Sequence, residues 1–94
     1  MAAVPFTGDA AAAQDVARAA LLAEPRTRVV VDQPGYLRAE ATSFLFRFID
    51  DVEIVVDTAN RVYRFRSASR VGRSDMGVNR KRMTRVAARL AAPR

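Results

Sequence analysis

Between Pro25 and Ser69 the chain alternates β-branched or aromatic runs with short turn signals, a pattern that restricts it to antiparallel hairpins. Arg28-Val-Val-Val-Asp32 reads as a first strand, because consecutive β-branched residues fit a pleated surface. Pro34-Gly35 is a turn, Pro pre-setting φ and Gly accepting positive φ. Tyr36 to Ser43 returns as the second strand. Val52 to Asp57 starts a second hairpin, with Val52, Ile54 and Val56 pointing one way and Glu53 and Val55 the other. Thr58-Ala-Asn60 turns the chain, with Asn60 suited to positive φ. Arg61 to Ser69 pairs back, placing Tyr63, Phe65 and Ser67 on one side and Arg64, Arg66 and Ala68 on the other. Phe44 to Ile49, apolar apart from Arg47, reads equally as a strand extension or a buried loop.

Helices flank this pattern. Val4 to Gly8 is an extended lead-in, and Asp9 is placed to cap the first free amides of a helix over Ala10 to Ala23. Val16, Ala17, Ala20 and Leu21 give that helix a thin apolar face, and Pro25 ends it. After a Gly-containing connection from Arg70 to Ser74, Ser74 or Asp75 caps a last helix that runs to about Ala91. Asn79, Met83, Val86, Ala87 and Leu90 share one face, with Lys81, Arg82, Arg85 and Arg89 on the opposite one. Buried Asn79 is expected to tie the Gly72 loop to the sheet. The pattern predicts a single α+β domain over residues 1–94. It consists of a four-stranded antiparallel sheet of two hairpins, with an N-terminal and a C-terminal helix packed on one face. The other face carries Arg64 and Arg66 and stays wet.

The composition narrows the chemistry. The 94 residues include no cysteine and no histidine. Disulfides, zinc-thiolate sites, thiol nucleophiles and a Ser-His-Asp triad are excluded. Catalysis would need carboxylates, Arg, Tyr, the single Lys81 or a cofactor, and neither a cofactor nor a metal is expected. No apolar run reaches membrane-spanning length, and Met1 to Asp9 has no basic flank of a secretory signal. The expected location is cytoplasmic for the chain as given, and envelope-associated if it is a fragment of a longer precursor.

Charge is unevenly placed. Residues 1–60 hold five Arg against nine acidic residues, whereas residues 61–94 hold ten Arg and Lys81 against Asp75 alone. The preference for Arg over Lys fits a GC-rich genome, but the asymmetry calls for its own explanation.

Three constellations follow. Asp50, Asp51 and Glu53 form an acidic cluster that either binds a divalent cation or pairs with arginines of the neighbouring strand, such as Arg64, Arg66 or Arg70. The pairing reading is preferred. Arg66, Ser67, Ser69, Arg70 and Ser74, with Asp50 nearby, either cradle an oxyanion or simply hold a strand-to-helix corner. Lys81, Arg82, Arg85 and Arg89 form a basic stripe that either meets a partner or is idle surface. An acidic protein is the expected partner. Nucleic acid is less favoured, because the stripe lacks stacking aromatics. An open edge strand could also pair two copies.

The segments Phe46-Arg-Phe-Ile-Asp-Asp-Val-Glu53 and Arg66-Ser-Ala-Ser-Arg-Val-Gly-Arg-Ser-Asp-Met-Gly-Val-Asn-Arg-Lys-Arg82 resemble a bacterial family, domain of unknown function 1499. Pro25-Arg-Thr-Arg-Val-Val30 and Tyr36-Leu-Arg-Ala-Glu40 extend the resemblance from about Pro5 to Leu90. Members often carry an upstream Cys-Pro…Asn-Cys segment, which nothing in this sequence matches. The resemblance implies no activity, cofactor or substrate. From the residues themselves, with His and Cys missing and the last helix basic, the expected function is a non-catalytic binding or accessory module using its basic C-terminal helix. The alternative is a small-molecule or oxyanion-binding domain at the Arg66 to Asp75 corner.

Overall fold

The structure is a computed structural model that describes residues 3–42, 48–69 and 76–92. Its elements are β1 (Val4–Pro5), α1 (Ala10–Leu22), β2 (Thr27–Gln33), β3 (Tyr36–Thr42), β4 (Ile49–Asp57), β5 (Val62–Ser69) and α2 (Met76–Ala91). The strands form one sheet in the order β1-β5-β4-β3-β2, with every neighbouring pair antiparallel. The α+β class and both hairpins agree with the sequence pattern, but the sheet has five strands rather than four. The extra strand is the lead-in: Val4 pairs with Tyr63 and Pro5 with Val62. Proline has no N–H to donate, and an edge strand tolerates that loss. Phe6 explains why the lead-in docks at all, since its buried ring lies 5.4 Å from that of Tyr63.

Local chemistry sets the element ends. The Asp9 carboxylate accepts from the Ala12 N–H at 2.7 Å and starts α1. Gly35, at φ 85°, lets β2 turn into β3 within two residues. At the second turn the left-handed residue is Arg61, at φ 55°, rather than Asn60. Asn60 instead donates from its backbone and side chain to the two carboxylate oxygens of Asp57. Ser43 to Arg47 and the expected α2 caps, Ser74 or Asp75, lie outside the described residues.

Strand alternation puts Leu37, Ala39, Ala41, Val52, Ile54, Val56 and Tyr63 under the helices. Ala13, Ala17, Ala20 and Leu21 of α1, with Met83, Val86 and Leu90 of α2, close over them. Tyr63 is fully buried, and its hydroxyl donates to Ala13 O at 2.9 Å, so its polar end is satisfied inside the core. Gln14 ties α1 to the first hairpin: its amide N–H donates to Gln33 O, and its oxygen accepts from the Gly35 N–H.

Candidate functional site

Period-two alternation splits the acidic cluster. Asp50 points under the helices and is 6% exposed, while Asp51 and Glu53 lie on the open face. Asp50 meets Arg82 of α2 at 2.9 Å, with both side chains buried. Asp51 receives Arg38 of β3 at 3.1 Å, and Glu53 accepts from the Tyr36 hydroxyl at 3.1 Å. Burial first, and then this bond to Glu53, push the Tyr36 phenol above its ordinary pKa. The expected pairing of carboxylates with guanidiniums is present for Asp50 and Asp51. Among the described residues their partners are Arg82 and Arg38; Arg64 pairs with Asp57 instead, and Arg70 lies outside the described residues. Among the described residues no three acidic side chains converge as a metal site would require.

The proposed oxyanion corner is also divided. Arg66 is exposed on the open face, and half-buried Ser67 faces the helices with Asp50. The Ser69 backbone pairs with Asp50, whereas Arg70, Ser74 and the side chains of Ser69 and Asn79 lie outside the described residues.

The basic stripe on α2 changes character most. Of its four residues, Arg82 is 6% exposed and Lys81 is exposed. Arg85 and Arg89 converge on Glu24, just past the end of α1. Arg85 donates to Glu24 from Nε at 3.1 Å and from Nη2 at 2.6 Å, and Arg89 adds a bond from Nη1. The Glu24 side chain is 1% exposed. Burial alone would raise its pKa, but the hydrogen bonds from Arg85 and Arg89 outweigh that and hold it below the usual carboxylate range. The expectation of a uniformly exposed stripe is therefore corrected. At 100° per residue, Arg82 lies only about 70° from the direction of Met83, Val86 and Leu90. That puts it on the flank of the buried face, within reach of the sheet.

Carboxylates elsewhere follow the same rule. Asp32 accepts from Arg18 at 2.5 Å and from Gln14 at 3.1 Å, and its pKa is lowered by those bonds in that order. Asp57 is held at about 2 by the Asn60 side chain, the Asn60 backbone and Arg64. The open cleft of about 310 Å³ between α1 and the β2–β3 turn is lined by Gln14, Asp15, Arg18 and Asp32, all already bonded to one another or to the turn.

What remains uncommitted is a small set. Among the described residues Arg66, Arg80 and Lys81 enter no ion pair and no side-chain hydrogen bond, and all three are exposed. They flank the passage from β5 to α2. The same end of the sheet carries the start of β4, since Asp50 pairs with Ser69 and Thr42 with Ile49. Phe48, 39% exposed, stands there as well.

The family model described as "Protein of unknown function (DUF1499)" matches residues 1–90. The chain belongs to the DUF1499 family. The match takes in α1, all five strands including the lead-in, and all of α2 but its last residue. No curated protein and no solved structure matches the chain. Family membership thus carries no reaction and no ligand, and the functional reading rests on the side chains themselves. No helix among the described residues is long and apolar enough to cross a membrane.

Sequence reasoning missed Glu24, which ties the end of α1 to α2, and Gln14, which ties α1 to the first hairpin. Neither has a local signature. Their partners lie 61 and 21 residues away in the chain.

Proposed function

We propose that this DUF1499 member is a non-catalytic binding or accessory module that meets an acidic partner at the β5-to-α2 end of its fold. The observation that carries this reading is the division of its cations. Arg82, Arg85 and Arg89 are consumed inside the fold by Asp50 and Glu24, while Arg66, Arg80 and Lys81 face solvent without carboxylates. An acidic surface brought to that end gains charge pairing without breaking any internal pair. The state of the carboxylates supports the non-catalytic part. Glu24, Asp32 and Asp57 all have pKa values lowered by hydrogen bonds to cations or amides, which holds them ionised rather than poised to exchange protons near neutrality.

The test compares two variants of equal net charge, Arg66→Gln/Arg80→Gln/Lys81→Gln and Arg28→Gln/Arg61→Gln/Arg64→Gln. Each is titrated against a fluorescent polyglutamate peptide and, separately, a single-stranded oligonucleotide. Loss of peptide binding by the first variant but not the second is expected. Equal weakening by both would reduce the contact to overall charge. Tighter binding of the oligonucleotide with a steep salt dependence would replace the acidic protein by nucleic acid.

A further inference from the structure

The lead-in is held by a short ladder and one large side chain. β1 pairs with Val62 and Tyr63, and its Pro5 has no N–H to donate. The Phe6 N–H donates to Arg61 O at 3.0 Å. The Arg61 guanidinium lies 5.1 Å from the centre of the Phe6 ring and donates from Nη2 to Gly8 O at 2.6 Å. Phe6 itself is buried against Tyr63. These anchors come from Arg61, Val62 and Tyr63, far along the chain. β1 lies against β5 and α2 rather than against α1, the element that follows it. Thr7, Gly8 and Asp9 alone join Phe6 to α1. Gly8 turns there at φ 81°, and a Cβ on it would meet nothing within 4 Å, so the joint has room to swing.

A terminal segment held by so few backbone bonds opens well below the free energy of global unfolding. Opening also uncovers the Tyr63 ring and empties the slot that Phe6 fills, which exposes apolar surface and favours refilling. The segment shown to fit that slot is the lead-in itself, and a second copy of the chain carries an identical one. We propose that Val4 to Phe6 is an exchangeable strap, traded reciprocally between two copies so that each Phe6 packs on the other copy's Tyr63. The dimer repeats the strand pairs and the ring contact of the closed monomer. The balance between the two forms is therefore set by concentration and by the hinge at Gly8. Arg66, Arg80 and Lys81 take no part, so failure of this inference leaves the acidic-partner reading untouched.

The test exploits the absence of cysteine from the full chain. Pro5 and Val62 stand opposite one another. The Phe6-to-Arg61 bond beside them makes theirs the closely spaced, non-hydrogen-bonded kind of pair, which a disulfide can bridge. Chains bearing Pro5→Cys alone are mixed with chains bearing Val62→Cys alone, at micromolar and at millimolar concentration, and then oxidised. Exchange is expected to give mixed dimers about tenfold in excess over same-site dimers at the higher concentration. Adding Gly8→Val to both chains penalises the positive φ of the closed form and is expected to raise the mixed-dimer yield about tenfold at the lower concentration. Light scattering of the unaltered chain over the same range is expected to show dimer appearing as concentration rises. Mixed and same-site dimers in random proportion would overturn the exchange, as would an unaltered chain that stays monomeric throughout. A Gly8→Val yield no higher than that of the parent pair would overturn it too, because the hinge would then not separate the two forms.

Discussion

Replacing Asp50 by Asn should be among the most damaging single changes available in this fold. The substitution keeps the shape and leaves an acceptor, but it strands the Arg82 guanidinium, whose side chain is 7% exposed, beside a neutral group. Breaking a buried ion pair by removing one partner costs about 3–5 kcal/mol. The lower end, about 3 kcal/mol, is appropriate because the Asn oxygen still accepts and Arg82 holds a further contact. At about 4–8 °C per kcal/mol for a chain of this size, the melting temperature should fall by roughly 15 °C. Removing both charges, in Asp50→Leu/Arg82→Met, should restore most of the loss, since well-packed apolar residues often replace a buried pair without penalty. Urea unfolding followed by circular dichroism measures all three proteins. A loss below about 1 kcal/mol for Asp50→Asn, the range of exposed pairs, would refute the assignment of Asp50 and Arg82 as a structural strut.

Other consequences are more modest. Glu24→Gln should cost about 1–3 kcal/mol by thermal unfolding; the loss is smaller because Arg85 and Arg89, 49% and 36% exposed, can rehydrate. Acid should unfold the chain in a defined window. Folded-state pKa values lowered at Asp57, Glu24 and Asp32 mean that their contribution is complete above the unfolded values near 4, and is lost as pH falls toward about 2. A pH titration of stability should therefore decline across that interval, and less steeply in Asp57→Asn. Gly35→Ala should cost about 1 kcal/mol from backbone strain at φ 85°, because the added methyl meets only Val56 O at 3.8 Å, an ordinary contact. Chemical denaturation checks this.

The sequence displays what depends on short-range periodicity. The alternation of Val52, Ile54 and Val56 with Glu53 and Val55 announced both faces of β4, and the Asp9 cap and Pro25 bracketed α1 to within a residue. Long-range docking left no such trace. β1 is two residues long and contains Pro5, so neither propensity nor pattern marks it, and its place comes from Phe6 packing on Tyr63. The run Val29-Val30-Val31 hid a bulge that lets Asp32 face α1, where Arg18 and Gln14 reach it. The helical arginines looked like one exposed face because a wheel shows direction and not reach. A guanidinium at the flank of a buried stripe extends under the helix when a carboxylate waits on the sheet. The oxyanion corner looked contiguous in sequence, but adjacent strand residues such as Arg66 and Ser67 necessarily face opposite ways.

The most direct test of the central claim, that the helical arginines hold the fold while the β5-to-α2 end meets an acidic partner, is a map of amide chemical shifts on adding polyglutamate to the labelled chain. The account predicts perturbations centred on Arg66, Arg80 and Lys81, with Arg85 and Arg89 unmoved. Perturbations centred on Arg85 and Arg89, with Glu24 released from them, would contradict it.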